Sequence, residues 1–349
     1  MISINFVGDI ALFALYEEFG IDPFKELVLP ESDYNIGNFE FIIPKENRKK
    51  RFFDVSVNYK VSYEYLKKLS LDTFNAFSLA NNHCMDYGME GAEDVMEVLH
   101  DRNIKTFGFG DESYNILTFT IKNVTFACIA FVKSGRWSKN LEQPIGPDSY
   151  NVDKILLEIK RLKQRYHHVI IYPHWGTELV DVPDPKDIVN AHAFIDNGAT
   201  AVIGHHPHII QGIETYKNGI IAYSLGSFIY VSEKEKGYKP NQNNNRDYSI
   251  CLNISLNEHG IENSTAYYYK YDYETFSPIP IKRESIQVYL SLINRKIGDT
   301  SFYKKRIREM LLKRELVAFL QRLKSSPFKT IIHYMKYIKI GHFKKLINR

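Results

Sequence analysis

The sequence predicts a layered α/β protein in which buried strands alternate with helices. Short apolar segments rich in β-branched residues recur along the first 230 residues, and segments with helical periodicity follow several of them, for example residues 89–102 and 151–166. Polar or histidine-rich loops come directly after the apolar segments, where α/β sheets usually carry their ligand-binding groups. We therefore expect one α/β domain over residues 1–300, with its motifs within residues 1–230, and a helical tail over residues 301–349.

The first strand is predicted at residues 2–7, and Asp9 follows it directly. Asp9 could bind a metal ion or cap a helix predicted from about residue 11 to residue 27. The next apolar segment, residues 34–41, contains Asn38 and Glu40, which share one face if this segment is a strand. The basic segment that follows, residues 45–51, is either a solvated loop or a border of the site that receives an anion.

A third strand, predicted at residues 74–79, leads into a polar turn. This turn contains Asn81, Asn82 and His83, and a helix is predicted to begin shortly after it, near Met89. An amide and an imidazole at the end of a strand are well placed to touch an ion or a substrate. Asn82 and His83 are therefore candidate site residues, whereas Asp86 is either a turn carboxylate or a ligand.

Two later strands are predicted to end in histidine-containing loops. The strand at residues 169–172 leads to His174, Trp175 and Glu178, and the strand at 199–203 leads to the loop Gly204-His205-His206-Pro207-His208. Because His206 and His208 lie two positions apart, an extended loop can turn both imidazoles toward one centre or toward two adjacent ones. Neutral imidazole is a common ligand of zinc, manganese and iron. A further strand, at residues 220–223, leads to Ser227.

Composition excludes several classes of protein. An apolar content of 44% is sufficient for a sizeable core, and a charged content of 25% argues against general disorder. The three cysteines, Cys84, Cys128 and Cys251, are odd in number and widely spaced, which favours either a reducing compartment or free buried thiols over a disulfide framework. No signal peptide and no apolar run of about 18 residues is visible. We therefore expect a cytoplasmic location, or a peripheral one on the inner face of the cell membrane.

Positive charge is concentrated at the C-terminal end of the chain. From Phe302 onward, 14 lysine and arginine residues face only Glu309 and Glu315, although the net charge of the whole chain is +4. The segment 302–349 could be a helix packed on the domain, a surface that binds an anionic membrane, or a binding site for an anionic polymer. Nucleic-acid binding is a weaker interpretation, because no recognisable nucleic-acid module accompanies the basic residues.

The side chains at these predicted strand ends form a set that could hold two divalent ions. The set combines carboxylates, an amide and imidazoles: Asp9, Glu40, Asn82, His174, His206 and His208. Two-metal hydrolases hold their ions about 3.5–4 Å apart and need an anionic oxygen between them. Nitrogen ligands favour manganese, iron or zinc over calcium. His83, which lies off the metals in this interpretation, could protonate the leaving oxygen as a general acid.

These motifs also carry a family resemblance. In order, they are Gly8-Asp9, Asn38-Phe39-Glu40, residues 80–88 (ANNHCMDYG), residues 174–178 (HWGTE), residues 204–208 (GHHPH) and residues 223–228 (YSLGSF). The pattern resembles the CapA-type poly-γ-glutamate capsule-synthesis proteins of the calcineurin-like metallophosphoesterase superfamily, whose fold is a central β-sandwich flanked by helices. The resemblance implies that Asp9 and His208 serve one metal ion, that Asn82, His174 and His206 serve the other, and that Glu40 bridges both.

The resemblance also implies a function, and this chain departs from the family pattern in three ways. It implies a metal-dependent hydrolase of capsule or surface-polymer biosynthesis that acts on an anionic polymer or a phosphoester; the alternative is a polymer-binding or assembly factor with a degenerate metal site. Broader metallophosphoesterases follow the first aspartate with Xaa-His, whereas this chain has Ile10-Ala11, which leaves the first metal site one ligand short. Ser227 replaces the usual asparagine, and the membrane anchor common in the family is not seen.

Overall fold

The computed structural model describes residues 1–43, 60–110, 114–133, 145–230 and 245–325, with the side chains of the last helix described up to residue 312. The protein divides into two units, Met1–Asp299 and Thr300–Arg349. The basic segment at residues 45–51 and nearly all of an Asn-rich loop predicted at residues 232–247 lie outside the described residues.

The first unit is built mainly from strands. In chain order they are β1 (Ile2–Ala11), β2 (Tyr34–Phe39), β3 (Ala76–Ser78), β4 (Lys105–Phe107), β5 (Phe109–Gly110), β6 (Leu117–Ile121), β7 (Val124–Val132), β8 (Gly146–Pro147), β9 (His168–His174), β10 (Ala201–Ile203), β11 (Ile213–Tyr216), β12 (Gly219–Ala222), β13 (Ser227–Tyr230), β14 (Tyr248–Leu256), β15 (Ile261–Asp272) and β16 (Ser277–Ile281). The α-helices of this unit are α1 (Ala14–Glu18), α2 (Tyr63–Leu66), α3 (Gly88–Asp101), α4 (Val152–Lys163), α5 (Pro185–Asp196) and α6 (Gln287–Arg295).

Over the described residues, the strands form two large sheets and one small pair. The first sheet has the order β16-β15-β14-β1-β2-β3-β4, with β13 also paired to β1, and the second has the order β11-β12-β10-β9-β7-β6. Strands β1, β2, β3, β4 and β13 form a parallel set within the first sheet, and β7, β9, β10 and β12 form a parallel set within the second. The parallel strands of each sheet therefore end at a common edge, and this geometry can gather residues that are distant in sequence.

The two sheets pack face to face, and helices cover their outer faces. One buried cluster takes residues from both sheets, including Phe6 on β1 and Tyr172 on β9, and so lies between them. A second cluster joins the outer face of the first sheet to α3, and a third joins the outer face of the second sheet to α4 and α5. The predicted layered α/β fold, a central β-sandwich flanked by helices, is confirmed.

Strand β7 shows how the sequence produces these layers. Its residues are apolar at nearly every position, as expected for a strand buried on both faces. Phe126, Cys128 and Ala130 point into the cluster between the sheets, whereas Ala127 and Ile129 point toward the helices. The alternation follows from the two-residue period of a strand, and it makes β7 part of both apolar layers.

The long helix predicted at residues 11–27 is wrong. The first strand continues to Ala11, because β1 is paired with β2, β13 and β14, and the only α-helix that follows before β2 is the five-residue α1. Gly20, with a φ of +62°, lies two residues after this helix. Pairing with distant strands thus overrides the local helical pattern. The short strands β4, β5, β8, β11 and β13, each of four residues or fewer, were also absent from the prediction.

The second unit begins with α7 (Thr300–Ser325), a helix of 26 residues. Leu311 and Leu312 on this helix are exposed. In the part of the chain that the structure describes, no helix is long and apolar enough to cross a membrane.

Candidate metal centre

The candidate site lies where the parallel strands of both sheets end. Asp9 is still within β1, where it pairs with Asn38 of β2 and with Ser227 of β13, and Glu40 follows β2 directly. The register of β1 shifts between Phe6 and Asp9 and again after Asp9. Asp9 is therefore a strand residue at an irregularity of the ladder and does not cap a helix.

Asp9 is fully buried and held from three directions. Its Oδ1 accepts a hydrogen bond from Asn38 Nδ2 at 2.8 Å, and its Oδ2 accepts one from the backbone N–H of His206 at 3.1 Å. Nδ1 of His208 lies 3.2 Å from the same Oδ2. Burial acts to raise the pKa of Asp9, but the hydrogen bond and charge of His208 outweigh it and hold that pKa well below its usual range. Asp9 is thus an anion at neutral pH.

Glu40 is fully buried, and among the described residues neither of its carboxylate oxygens has a hydrogen-bond partner. Its Oε1 lies 3.6 Å from Nε2 of His174 and 3.5 Å from Nε2 of His208, beyond hydrogen-bonding distance. Burial, reinforced by the charge of Asp9, raises the pKa of Glu40 well above its usual value. A buried carboxylate without a partner is costly, and the usual compensations are a proton, a counter-charge or a bound metal ion.

Nε2 of His174, which faces Glu40, also contacts atoms from the turn after β3 and from the histidine loop. Nε2 of His174 lies 2.6 Å from Oδ1 of Asn82 and 3.1 Å from Nδ1 of His206. Burial, followed by the neighbouring His206, holds the pKa of His174 well below its usual value, and burial followed by His208 lowers the pKa of His206 to about 4. Both imidazoles are therefore neutral at pH 7 and can offer a lone pair to a metal ion.

The loop that carries His206 and His208 has a strained backbone. Both residues have positive φ values, +98° and +55°, which L-amino acids rarely adopt. The loop is also closely packed, because a Cβ atom added at Gly204 would lie 2.0 Å from the carbonyl oxygen of Tyr223. This backbone directs His206 toward His174, and it directs His208 toward Asp9 and toward Ser227, whose Oγ lies 3.3 Å from His208 Nδ1.

His83 and Asp86 form a pair in the turn after β3. Nδ1 of His83 lies 2.9 Å from Oδ2 of Asp86, which is buried, while the backbone N–H of His83 donates to Oδ1 of Asn81. Asn81 in turn donates from Nδ2 to the carbonyl oxygen of Phe39, next to Glu40. Of the two readings left open for Asp86, its contact with His83 favours the turn carboxylate.

The remaining predicted site residues surround the cluster in different ways. Trp175 is buried and donates its indole N–H to the carbonyl oxygen of Tyr223. This hydrogen bond holds the start of the loop after β9 against the end of β12. Nε2 of His205 lies 3.1 Å from the carbonyl oxygen of Val7, and its ring packs on Tyr172. Glu178 is half-buried, and its charge affects the pKa values of Glu40 and His206.

Two groups of side chains in the described part of the chain could each hold a metal ion. Within each group the ligand atoms lie within 4.8 Å of one another: Glu40, His174 and His206 form one group, and Asp9, Glu40 and His208 form the other. Glu40 belongs to both, and its two unpartnered oxygens suit a bridging role. The donor set, carboxylates with neutral imidazoles and an amide, fits manganese, iron or zinc. The residues present therefore fit a divalent metal centre.

Sequence reasoning missed two charged residues beside this cluster. Lys133 follows β7, and its backbone N–H donates to the carbonyl oxygen of His174 at 2.9 Å. Its ammonium group forms an ion pair with Asp187 in the first turn of α5. The same strand-end rule that identified His174 would have identified Lys133, because β7 and β9 are parallel neighbours. Asp187 carried no such signal, because it lies inside a predicted helix.

Comparison with known proteins shows two similar relatives from Bacillus. The "Capsule biosynthesis protein CapA" of Bacillus anthracis is 32% identical over 248 residues, which are 66% of this chain and 60% of that protein. The "PGA biosynthesis protein CapA" of Bacillus subtilis is 28% identical over 314 residues, which are 86% of this chain and 79% of that protein. The match thus spans less than two thirds of the length of the first relative.

A solved structure with a similar arrangement is described as a novel phosphatase from Mycoplasma pneumoniae. It is 14% identical with a TM-score of 0.44, and the match covers 82% of this chain and 96% of that one. A family model described as "Bacterial capsule synthesis protein PGA_cap" matches residues 3–232, which include every candidate ligand. The family predicted from the motifs is thereby confirmed, and this chain belongs to the PGA_cap family of bacterial capsule synthesis proteins.

Proposed function

We propose that this chain is a metal-dependent hydrolase that acts in the biosynthesis of a bacterial capsule or surface polymer, either poly-γ-glutamate or a polysaccharide. One observation carries the enzymatic part: Glu40 is fully buried with both carboxylate oxygens unpartnered, between histidines from two different strand ends. The pathway is supported by membership of the PGA_cap family and by relatives that are named as capsule or PGA biosynthesis proteins.

In this proposal two divalent ions are held by seven ligand contacts. Asp9, Glu40 and His208 would hold one ion, and Glu40, Asn82, His174 and His206 would hold the other. When bound, such ions supply Lewis-acid chemistry that polarises a phosphoryl or carbonyl oxygen and activates water near neutral pH. Asn38 and the backbone N–H of His206 keep Asp9 in position by hydrogen bonding to its two oxygens.

His83 would serve as the general acid. Because Asp86 lies against Nδ1, the ring is held with its Nδ1–H toward the carboxylate, and Nε2 is then the nitrogen that gives a proton to the leaving oxygen. Asp86 is buried, so the orientation is maintained by a group that solvent does not displace. The pair is the arrangement in which a carboxylate fixes the orientation of an imidazole.

The proposed substrate is a phosphoester or an anionic polymer. Phosphoester cleavage follows from the resemblance to metallophosphoesterases, and an anionic polymer follows from the names of the relatives. The experiment measures the metal content of purified protein and its turnover of a panel of phosphoesters with and without a chelator. We expect manganese, iron or zinc to be bound and turnover to stop on chelation. Metal-free protein with full turnover would contradict the proposal.

A polymer-binding or assembly factor that catalyses no hydrolysis is a second candidate function, because one of the two proposed ligand groups is a ligand short. The residues after Asp9 are Ile10 and Ala11, both fully buried and without a donor atom in the side chain, so the group around Asp9 and His208 has three members. If polymer binding survives in His174→Ala protein that has lost its metal, the assembly factor is the better description. Loss of polymer binding together with the metal favours the hydrolase.

We also propose that residues 1–300 form the metal-binding domain and that residues 301–349 form a basic tail that attaches it to the inner face of the cell membrane. The tail carries 14 basic residues, and each one that lies near an anionic leaflet contributes about 1 kcal/mol to the free energy of membrane binding. Two exposed leucines, Leu311 and Leu312, could add apolar contact with the lipid. A location in the cytoplasm, peripheral to the membrane, would bring the domain to the surface where polymers are assembled.

A further inference from the structure

Lys133 lies next to the metal cluster although it belongs to a different strand from any candidate ligand. Its neighbour Val132 pairs with His174 in the parallel ladder of β7 and β9, and the backbone N–H of Lys133 donates to the carbonyl oxygen of His174 at 2.9 Å. Lys133 is thus fixed by its backbone to the residue whose imidazole faces Glu40. Its side chain is 23% exposed, so it is not sealed from solvent.

The ammonium group of Lys133 is held by Asp187, which is buried in the first turn of α5. Oδ1 of Asp187 accepts from the ammonium group, and Oδ2 has no hydrogen-bond partner among the residues that the structure describes. The ring of Tyr150 lies 5.8 Å from the same ammonium group. These contacts keep the positive charge at one place near the strand ends instead of leaving it on a flexible side chain.

The Lys133–Asp187 pair is connected to the histidine loop as well as to β9. The backbone N–H of Gly176 acts on Asp187 by lowering its pKa, against the larger effect of burial. A Cβ atom at Gly176 would lie 3.1 Å from Cγ of Pro207, which separates His206 from His208. The backbone N–H of Leu179 also donates to the carbonyl oxygen of Pro207. These contacts therefore fix Lys133 and Asp187 against the loops that carry His174, His206 and His208.

A purely structural ion pair explains these contacts less well. Burying a lysine and a carboxylate together is usually neutral or unfavourable compared with apolar packing. An ammonium group has three N–H donors, and in the described part of the chain the only hydrogen-bond acceptor of this one is Asp187 Oδ1.

We infer that Lys133 is a specificity-determining residue that binds an anionic group, a carboxylate or a phosphate, of the substrate that occupies the candidate metal centre. The inference rests on the proposed function, because it assigns a substrate charge to that same site. A lysine ammonium is a point charge that accepts either anion, unlike the planar fork of arginine. Asp187 positions Lys133 and competes with the substrate for it.

The test compares three variants in the full-length, manganese-loaded protein. Lys133→Met keeps most of the side-chain length and removes the charge, and Lys133→Arg restores a charge. Lys122→Met is the matched control, because Lys122 lies at the opposite end of β7 and is paired with Asp33 at 2.8 Å. Calorimetry measures the binding of inorganic phosphate and of a γ-linked glutamate oligomer, and thermal unfolding is recorded for each variant.

We expect Lys133→Met to weaken binding of at least one of these anions about 10-fold, with partial rescue by Lys133→Arg and no change in Lys122→Met. The anion that is affected identifies a phosphate or a carboxylate as the group that is bound. Unchanged binding of both anions in Lys133→Met, or an equal loss in Lys122→Met, overturns the inference.

A fourth variant separates recognition from structural support. Asp187→Asn leaves the charge of Lys133 in place and removes its competitor, so anion binding should be as tight as in the wild-type protein or tighter. Weakening equal to that of Lys133→Met would mean that the ion pair only supports the loops, and the inference would fail. If Lys133→Met does not fold, the anion binding of Asp187→Asn still tests the inference.

The proposed function and this inference can fail independently. If the wild-type protein hydrolyses no substrate with any divalent ion but Lys133→Met weakens anion binding, the hydrolase proposal fails and Lys133 keeps its role. If turnover depends on metal and the KM values for anionic substrates are the same in Lys133→Met, the hydrolase proposal stands and the role of Lys133 is wrong.

Discussion

Nδ1 of His206 lies 3.1 Å from Nε2 of His174, so two imidazoles from different strand ends meet with nitrogen toward nitrogen. Burial lowers the pKa of both rings, and each can therefore offer a lone pair at neutral pH. We expect His174→Ala and His206→Ala each to lower the affinity for manganese or zinc by at least about 10-fold. Metal content after dialysis, measured by elemental analysis, checks this prediction.

The control for these two variants is His100→Ala. His100 is an exposed histidine on α3 that contacts Thr106, so its loss should leave the metal content unchanged. Full metal content in His174→Ala or in His206→Ala would remove that residue from the proposed ligand set.

Glu40→Gln should stabilise the metal-free protein and abolish its response to metal. Without a metal ion, Glu40 is a buried carboxylate with no hydrogen-bond partner, and a neutral amide of the same shape costs less to bury. We expect the midpoint of thermal unfolding in a chelator to rise by a few degrees, and the further increase on adding manganese to disappear. A variant that still gains stability from manganese would show that Glu40 is not a ligand.

His83→Ala should separate catalysis from metal binding. His83 contacts Asp86 and is not a member of either ligand group, so the variant should keep its metal while turnover of a phosphoester falls by about 10²-fold or more. Asp86→Asn should give a smaller decrease, because the ring remains but loses its orientation. If His83→Ala protein loses its metal instead, His83 is to be counted among the ligands.

His168 should make the stability of the protein depend on pH. Burial lowers the pKa of His168, whose Nε2 lies 2.6 Å from the carbonyl oxygen of Asn257 and whose Nδ1 lies 3.2 Å from Oγ1 of Thr200. Between the lowered folded pKa and the unfolded value of about 6.5, the unfolded chain binds more protons. This stabilisation is present above about pH 6.5 and is lost as the pH falls toward the folded pKa.

The measurement is the free energy of unfolding in urea between pH 5 and pH 7 in a chelator. His168→Gln should reduce the slope of the unfolding free energy against pH by at most about 1.4 kcal/mol per pH unit, which is the limit for one proton. His100→Gln is again the control. Equal slopes for His168→Gln and the wild-type protein would show that His168 is protonated alike in both states.

The basic tail should bind anionic vesicles. We expect full-length protein to sediment with vesicles that contain an anionic phospholipid, and a chain that ends at Thr300 to remain in the supernatant. Because the attraction is electrostatic, raising the salt concentration should release the full-length protein. Vesicles of neutral lipid provide the control. If both chains behave alike on anionic vesicles, independently of salt, the tail does not bind membranes.

Much of the candidate site could be predicted because it follows one local rule. Asn82 and the histidine loop come directly after buried strands, and parallel strands bring such ends to one edge. The rule could not reveal that Asp9 stays inside β1, because that depends on pairing with β2 and with β13. The helix predicted at residues 11–27 failed for the same reason, since a local pattern does not register a distant strand.

The sequence by itself determined which donor atoms are available and in what order they occur, because strand periodicity and chain order are local properties. Only the tertiary structure decided that Asp9 and the backbone of His206, 197 positions apart, share a hydrogen bond, and that Lys133 lies beside His174. Those relationships depend on which strands become neighbours in two packed sheets. The choice is made by burial of apolar side chains over the whole domain, and no single segment encodes it.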